Sequence, residues 1–199
     1  MFADKYLQKQ KRTNLTDLIP EKGVGLIVVI PCFREPEILQ TLQSLNRCDL
    51  PQQKVEILVV INHSEIEDEA IKTYNQNTKA EILSWISKNK NEKLRFFVAG
   101  PVDLQKKWAG AGLARKCGMD EAIRRFNILE KPQGIIVSLD ADTLVDKNYL
   151  FEIEKHFRQN PKHVGATISF EHQKQELQQK QLEGIVLYEK YLEYYKNAL

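Results

Sequence analysis

Gly134-Ile135-Ile136-Val137-Ser138-Leu139-Asp140-Ala141-Asp142-Thr143 is an apolar run of strand character that breaks off into two carboxylates one residue apart. Similar runs precede it at Leu26 to Ile30, Val55 to Ile61 and Leu94 to Ala99, and one more follows at His163 to Phe170. They are rich in Val, Ile and Phe, as strands buried on both faces tend to be. Between them the apolar residues recur at helical spacing: Ile38, Leu39, Leu42 and Leu45; then Ile71, Tyr74, Thr78, Ile82 and Trp85; then Leu113, Cys117, Ala122, Ile123 and Phe126; then Leu150, Ile153 and Phe157. Strand and helix in strict alternation predict an α/β fold, a mostly parallel open sheet with helices on both faces.

The chain's 199 residues suit one domain with a sizeable core. At 42% apolar and 28% charged residues it falls outside the disordered, collagen-like and membrane-spanning classes. Lys and Arg exceed Asp and Glu by only +2, too even a balance for a nucleic-acid footprint, so an anionic ligand needs a local site. The first residues lack the apolar stretch of a signal peptide. Cys32, Cys48 and Cys117 are odd in number and widely spaced, which fits buried thiols in a reducing cytosol. His63, His156, His163 and His172 show no metal-ligand spacing. Residues 1–22 read as an N-terminal arm, 23–170 as the main domain and 171–199 as a C-terminal amphipathic helix, within which 173–181 is rich in Gln, Lys and Glu.

In an open parallel sheet, ligands bind beyond the carboxyl ends of the strands. Polar and turn-forming residues gather there: Pro31-Cys32-Phe33-Arg34-Glu35, Asn62-His63-Ser64-Glu65, Gly100-Pro101-Val102-Asp103 and Asp140-Ala141-Asp142-Thr143. At about 4 Å two carboxylates repel by about 4 kcal/mol at an effective dielectric of about 20. A Mg²⁺ or Mn²⁺ ion shared with the phosphates of a diphosphate ligand relieves that repulsion, whereas a solvated turn would simply expose it to water. A dehalogenase-like phosphatase also places Asp-x-Asp after a strand, but on its first strand and with Thr or Val where Leu144 stands here. Gly110-Ala111-Gly112-Leu113-Ala114-Arg115 is a poor dinucleotide fingerprint, with Arg115 at the third glycine position, and no Gly-x4-Gly-Lys-Ser/Thr loop occurs.

Four segments in this order resemble the nucleotide-sugar glycosyltransferases of family 2, with the GT-A fold: Val28 to Glu35, Ile57 to Asn62, Ala109 to Gly118 and Ser138 to Asp142. Together they span about residues 25–170. The resemblance implies a Rossmann-like nucleotide-sugar-binding domain and an inverting, metal-dependent transfer of hexosyl type. The donor would be a UDP-, GDP- or dTDP-sugar and the acceptor a saccharide or a lipid-linked group. Carried over by position, it implies that Pro31, Phe33 and Glu35 shape the pocket for base and ribose. Asn62 stands where the family usually has an Asp reading the base, so the base stays open. Ala114-Arg115-Lys116-Cys117-Gly118 stands for the family's Ala-Arg-Asn-x-Gly, with Arg115 near the diphosphate or bracing the acidic motif. Asp140 would approach the ribose, and Asp142 would bind Mg²⁺ or Mn²⁺.

Such chemistry needs a carboxylate to take the acceptor's proton. In the resembled family it belongs to a Glu-Asp or similar pair well beyond the Asp-x-Asp motif. No such pair follows Asp142; the acidic candidates are Glu152, Glu154, Glu171, Glu176, Glu183, Glu189 and Glu193, of which Glu171 follows the expected fifth strand. Ile185, Tyr188, Leu192, Tyr195 and Leu199 repeat at helical spacing without a Gly or Asn cap, the pattern of a cut chain. The expectation is thus the donor-binding part of a longer glycosyltransferase, its base outside this chain, cytoplasmic, with membrane association left to absent segments. Tyr188, Tyr191, Tyr194 and Tyr195 offer packing, a homodimer contact or a carbohydrate surface. The rival readings are a metal-dependent phosphohydrolase with Asp140 as nucleophile, and a non-catalytic module oligomerising through the last helix.

Overall fold

A computed structural model describes residues 1–10, 14–172 and 178–198. Glu176, Leu199 and most of the Gln-rich stretch lie outside the described residues. The chain forms two compact units, Met1–Asn160 and Pro161–Leu199.

In the first unit the elements run α1 (Asp4–Leu7), β1 (Val24–Cys32), α2 (Ile38–Asn46), β2 (Lys54–Ser64), α3 (Glu69–Lys88), β3 (Leu94–Leu104), α4 (Ala111–Ile128), β4 (Ile135–Ser138) and α5 (Tyr149–Gln159). The strands form one parallel sheet in the order β3-β2-β1-β4. Chain direction across the sheet reverses after β3, when α4 carries the chain back to the far side of β1. The crevice between the ends of β1 and β4 is therefore the topological switch point where this architecture places ligands.

Side chains alternate across a strand, and both faces of β1 are buried. Leu26, Val28 and Ile30 pack with Ile38, Leu42 and Leu45 of α2, Ile82 of α3 and Leu150 and Ile153 of α5. Ile27 and Val29 pack on the opposite face with Ala122 and Phe126 of α4. Helices thus cover both faces of the sheet. Burying these aliphatic side chains is worth about 1.5–3 kcal/mol each. Gly118 lets α4 approach closely: a Cβ there would lie 2.3 Å from Val29 Cγ1. That approach sets the start of α4, with Arg115, beside the carboxyl end of the sheet.

The arm preceding β1 lies against α4. The Ala3 amide donates to Asn127 Oδ1 (2.9 Å), the Tyr6 hydroxyl to Asp120 Oδ1 (2.6 Å) and the Leu15 amide to Glu121 Oε2 (3.3 Å). Beneath it Arg125 makes a bidentate pair with Glu56 of β2 (Nε to Oε2 2.6 Å, Nη2 to Oε1 2.7 Å) and donates to the Leu18 carbonyl (2.7 Å). Covered by sheet on one side and arm on the other, α4 buries Asp120, Glu121, Arg125 and Asn127 beside its apolar residues.

Two expectations change. β2 and β3 run past their apolar cores, because Asn62, His63 and Ser64 pair in register with Val102, Asp103 and Leu104. The expected fifth strand, His163 to Phe170, has no regular structure, and Val164, Ile168 and Phe170 are exposed. Strand propensity expresses fit to a paired, half-buried surface, and no strand among the described residues pairs with this segment. In the second unit α6 (Gln179–Ala198) carries the tyrosines, with Tyr191 and Tyr195 rings 4.8 Å apart and both exposed. No helix among the described residues is long and apolar enough to cross a membrane.

Candidate functional site

A cleft of about 590 Å³ opens at the carboxyl ends of β1, β2 and β4 and is bounded by the start of α4. Pro31, Phe33, Glu35, Asn62, Arg115, Asp140 and Asp142, singled out from sequence, all line it. His63 and Ser64, from the segment expected at this edge, line it too, as does Glu67, which the sequence does not single out.

At the β4 side the acidic turn is held by the elements around it. The Leu139 amide donates to the Val29 carbonyl (3.0 Å), which continues the sheet hydrogen bonding up to the turn. The buried Thr41 hydroxyl of α2 donates to the Ala141 carbonyl (2.7 Å), and the Val145 amide donates to Ser44 Oγ (3.2 Å). Thus α2 fixes the turn's backbone while Ala141 points inward and both carboxylates remain exposed. Arg115 Nη2 donates to Asp140 Oδ1 at 2.5 Å. Arg115 Nε is buried and finds no partner among the described residues. An unsatisfied buried donor costs about 1–3 kcal/mol, so this guanidinium has an N–H still to be satisfied.

Glu35, Glu67, Asp140 and Asp142 line the cleft against Arg115. No group of three or more His, Cys, Asp or Glu side chains able to hold a metal occurs among the described residues. Hard carboxylate oxygens suit Mg²⁺ or Mn²⁺, which commonly take one or two protein carboxylates and complete their shell with phosphate oxygens and water. The donor set therefore fits such an ion in company with a phosphate ligand, Asp142 being the carboxylate of the acidic turn with no arginine on it among the described residues.

At the β2 side Asn62 is buried, and its amide donates to the Cys32 carbonyl (3.0 Å), tying the ends of β1 and β2 together. Asn75 of α3, also buried, donates to the Asn62 carbonyl (3.1 Å) and faces His63 Nδ1 (3.2 Å), while its Oδ1 accepts from the Arg34 amide (3.2 Å). His63 Nε2 lies 2.9 Å from Asp103 Oδ1. Arg34 adopts φ 48°, a left-handed conformation that non-glycine residues enter at a cost, and the Asn75 contact holds it there. The sequence signal for Asn75 was a polar side chain four residues after Ile71 on the inward face of α3. Cys32, beside the cleft, is no nucleophile: burial pushes its thiol up to about 12.

Three of the acidic residues after Asp142 have charged or backbone partners of their own. Buried Glu154 accepts from the Gln52 and Gln53 amides (2.8 and 2.9 Å), and Glu152 pairs with Lys155 (2.9 Å). In the second unit Glu189 pairs with His172 (3.2 Å), and Glu171 follows an irregular segment rather than a strand.

Residues 27–198 match the sequence profile described as Glycosyl transferase family 2. The chain belongs to that family. None of the curated proteins matches this family 2 chain. Among solved structures it is similar to the crystal structure of S. aureus TarS, at 18% identity and a TM-score of 0.42, covering 69% of this chain and 20% of that one. It is similar also to the crystal structure of S. aureus TarS 1-349, at 17% identity and a TM-score of 0.42, covering 76% of this chain and 40% of that one. The family 2 chain thus spans well under half the length of either.

Proposed function

We propose that the cleft binds the nucleoside diphosphate of a nucleotide-sugar donor and that the chain is the donor-binding part of a glycosyltransferase. The observation that carries this reading is the pairing of Arg115 with Asp140 at the switch point, with Asp142, unpaired among the described residues, on the same turn. Arg115 supplies a cation and an unsatisfied N–H, and the start of α4 adds backbone N–H groups without a side-chain cap or an acidic residue in its first turn. Diphosphate oxygens meet both.

Transfer from such a donor leaves a nucleoside diphosphate behind, and stabilising its developing charge is the main task of the protein. A Mg²⁺ or Mn²⁺ ion held by Asp142 would supply electrostatic stabilisation of that leaving group. Arg115 orients the diphosphate and keeps Asp140 in place; Pro31, Phe33 and Glu35 border the nucleoside, and Asp140 has its second oxygen for the ribose. Inversion at the sugar, transfer of a hexosyl group and a saccharide or lipid-linked acceptor complete the proposal, with the base that deprotonates the acceptor supplied from outside these residues.

Calorimetric titration with UDP, GDP and dTDP, each with and without Mn²⁺, tests the reading. Metal-dependent binding of one nucleotide is the expected result. Absence of binding by all of them defeats it.

A further inference from the structure

We propose that His63 determines nucleobase selectivity at the β2 end of the cleft, and that Asn75 and Asp103 act through it as positioning residues. The inference rests on the donor reading above. His63 is only 5% exposed, yet it lines the cleft. Its ring is held from both sides, and the hydrogen bonds fix which nitrogen carries the proton.

Asn75 sets the direction. Its Oδ1 accepts from the Arg34 amide, so its NH₂ group points the other way, to the Asn62 carbonyl and to His63 Nδ1. An NH₂ group only donates, which makes Nδ1 the acceptor and leaves the proton on Nε2. Nε2–H then donates to the Asp103 carboxylate at 2.9 Å. Turning the Asn75 amide over would forfeit the bonds to Arg34 and to the Asn62 carbonyl together.

An imidazole with both nitrogens engaged has none left for a ligand. What His63 offers the cleft is a ring face and a carbon edge: a fixed wall that selects by shape and stacking. Its place in the fold says which part of the ligand meets it. β2 and β4 are separated by β1, at about 4.8 Å per strand, so the end of β2 stands about 10 Å from the Arg115 and Asp142 side. With the diphosphate at Arg115, the base is the part of a nucleoside diphosphate that reaches β2. Asn62 and His63 both line this end, and the Asn62 amide is spent on the Cys32 carbonyl, which leaves the His63 ring edge as the neighbouring wall.

The test compares wild type and His63→Ala by calorimetric titration with UDP, GDP and inorganic pyrophosphate, each with Mn²⁺. Wild type is expected to prefer one nucleotide by about tenfold or more, and the variant to bring the two within about threefold, with pyrophosphate binding unchanged. A nucleotide ratio unaltered by His63→Ala overturns the inference, as does a wild type that binds nucleotides without base preference. Wild type that binds neither nucleotides nor pyrophosphate defeats the donor reading itself, a failure seen before any substitution is made. Nitrogen-15 NMR of the imidazole supplies a readout that does not require the variant to fold. Wild type is expected to show the proton on Nε2 and none on Nδ1, and Asp103→Ala, which removes the Nε2 partner at an exposed side chain, to loosen the ring and narrow the nucleotide ratio. A wild-type ring protonated at Nδ1 overturns the inference.

Discussion

Arg115 and Asp140, one on the first turns of α4 and the other just past β4, meet at 2.5 Å across the mouth of the switch-point crevice. Both side chains are substantially solvent-accessible, 33% and 64%. An ion pair so placed adds at most about 1 kcal/mol to stability. Its consequence is positional: one carboxylate oxygen is committed and one guanidinium edge remains. Arg115→Ala is therefore expected to leave urea unfolding within about 1 kcal/mol of wild type while weakening nucleoside diphosphate binding by about tenfold or more, since hydrogen bonds to charged groups are worth about 1.5–3 kcal/mol. Equal losses of stability and binding would make the pair a structural one.

Thr41 places the acidic turn from below. Thr41→Val keeps the shape and removes the hydroxyl that donates to the Ala141 carbonyl. The orphaned carbonyl is expected to cost about 1–3 kcal/mol in denaturant unfolding. Metal-dependent nucleotide binding should weaken in parallel, because the same backbone carries Asp140 and Asp142.

The Glu56–Arg125 pair is buried on both sides, at 1% and 2% exposure. Removing one partner leaves an uncompensated charge inside, so Arg125→Ala is expected to destabilise by about 3–5 kcal/mol. Replacing both with apolar residues of similar volume, as in Glu56→Leu with Arg125→Met, is expected to recover most of that loss. Additive effects in the double variant would show that the two side chains do not act as a pair.

Alkaline pH should weaken the fold from about pH 9 upward. Burial pushes the Cys32 thiol up to about 12 and the Tyr149 hydroxyl up to about 12. The unfolded chain releases these protons from about pH 9 for the thiol and about pH 10 for the hydroxyl, whereas the folded chain retains them. The unfolded state then binds fewer protons, so stability falls as pH rises through that window, by about 1.4 kcal/mol per pH unit for each group. Tyr149→Phe should flatten the upper part of the slope. An unchanged slope would assign it to other groups.

The strands that position the site were legible because both their faces are buried, which writes a continuous apolar run into the sequence at Leu26 to Ile30 and Val55 to Ile61. The residues beyond the strand runs could then be assigned to one edge of the sheet, and Pro31, Phe33, Glu35, Asn62, Asp140 and Asp142 meet there in one cleft with Arg115 of α4. His163 to Phe170 carried the same residue types without the pairing partner that turns propensity into a strand, and a local pattern does not contain its partner. The contacts among Asn75, His63 and Asp103 were illegible for a related reason. Each of the three looks like an ordinary polar residue until α3 and the extended ends of β2 and β3 bring them together. Arg125 and Glu56 were hidden likewise, since a charge on a helix reads as solvated until the arm before β1 is seen to cover it.

If Asp142 and its neighbours form a donor site, Asp142→Ala removes the carboxylate on which metal-dependent binding depends. Calorimetry with the nucleotide that wild type prefers, in the presence and absence of Mn²⁺, is expected to show metal-dependent binding that the variant loses, by about a hundredfold, while its unfolding curve stays that of wild type. Undiminished metal-dependent binding by Asp142→Ala would contradict the account.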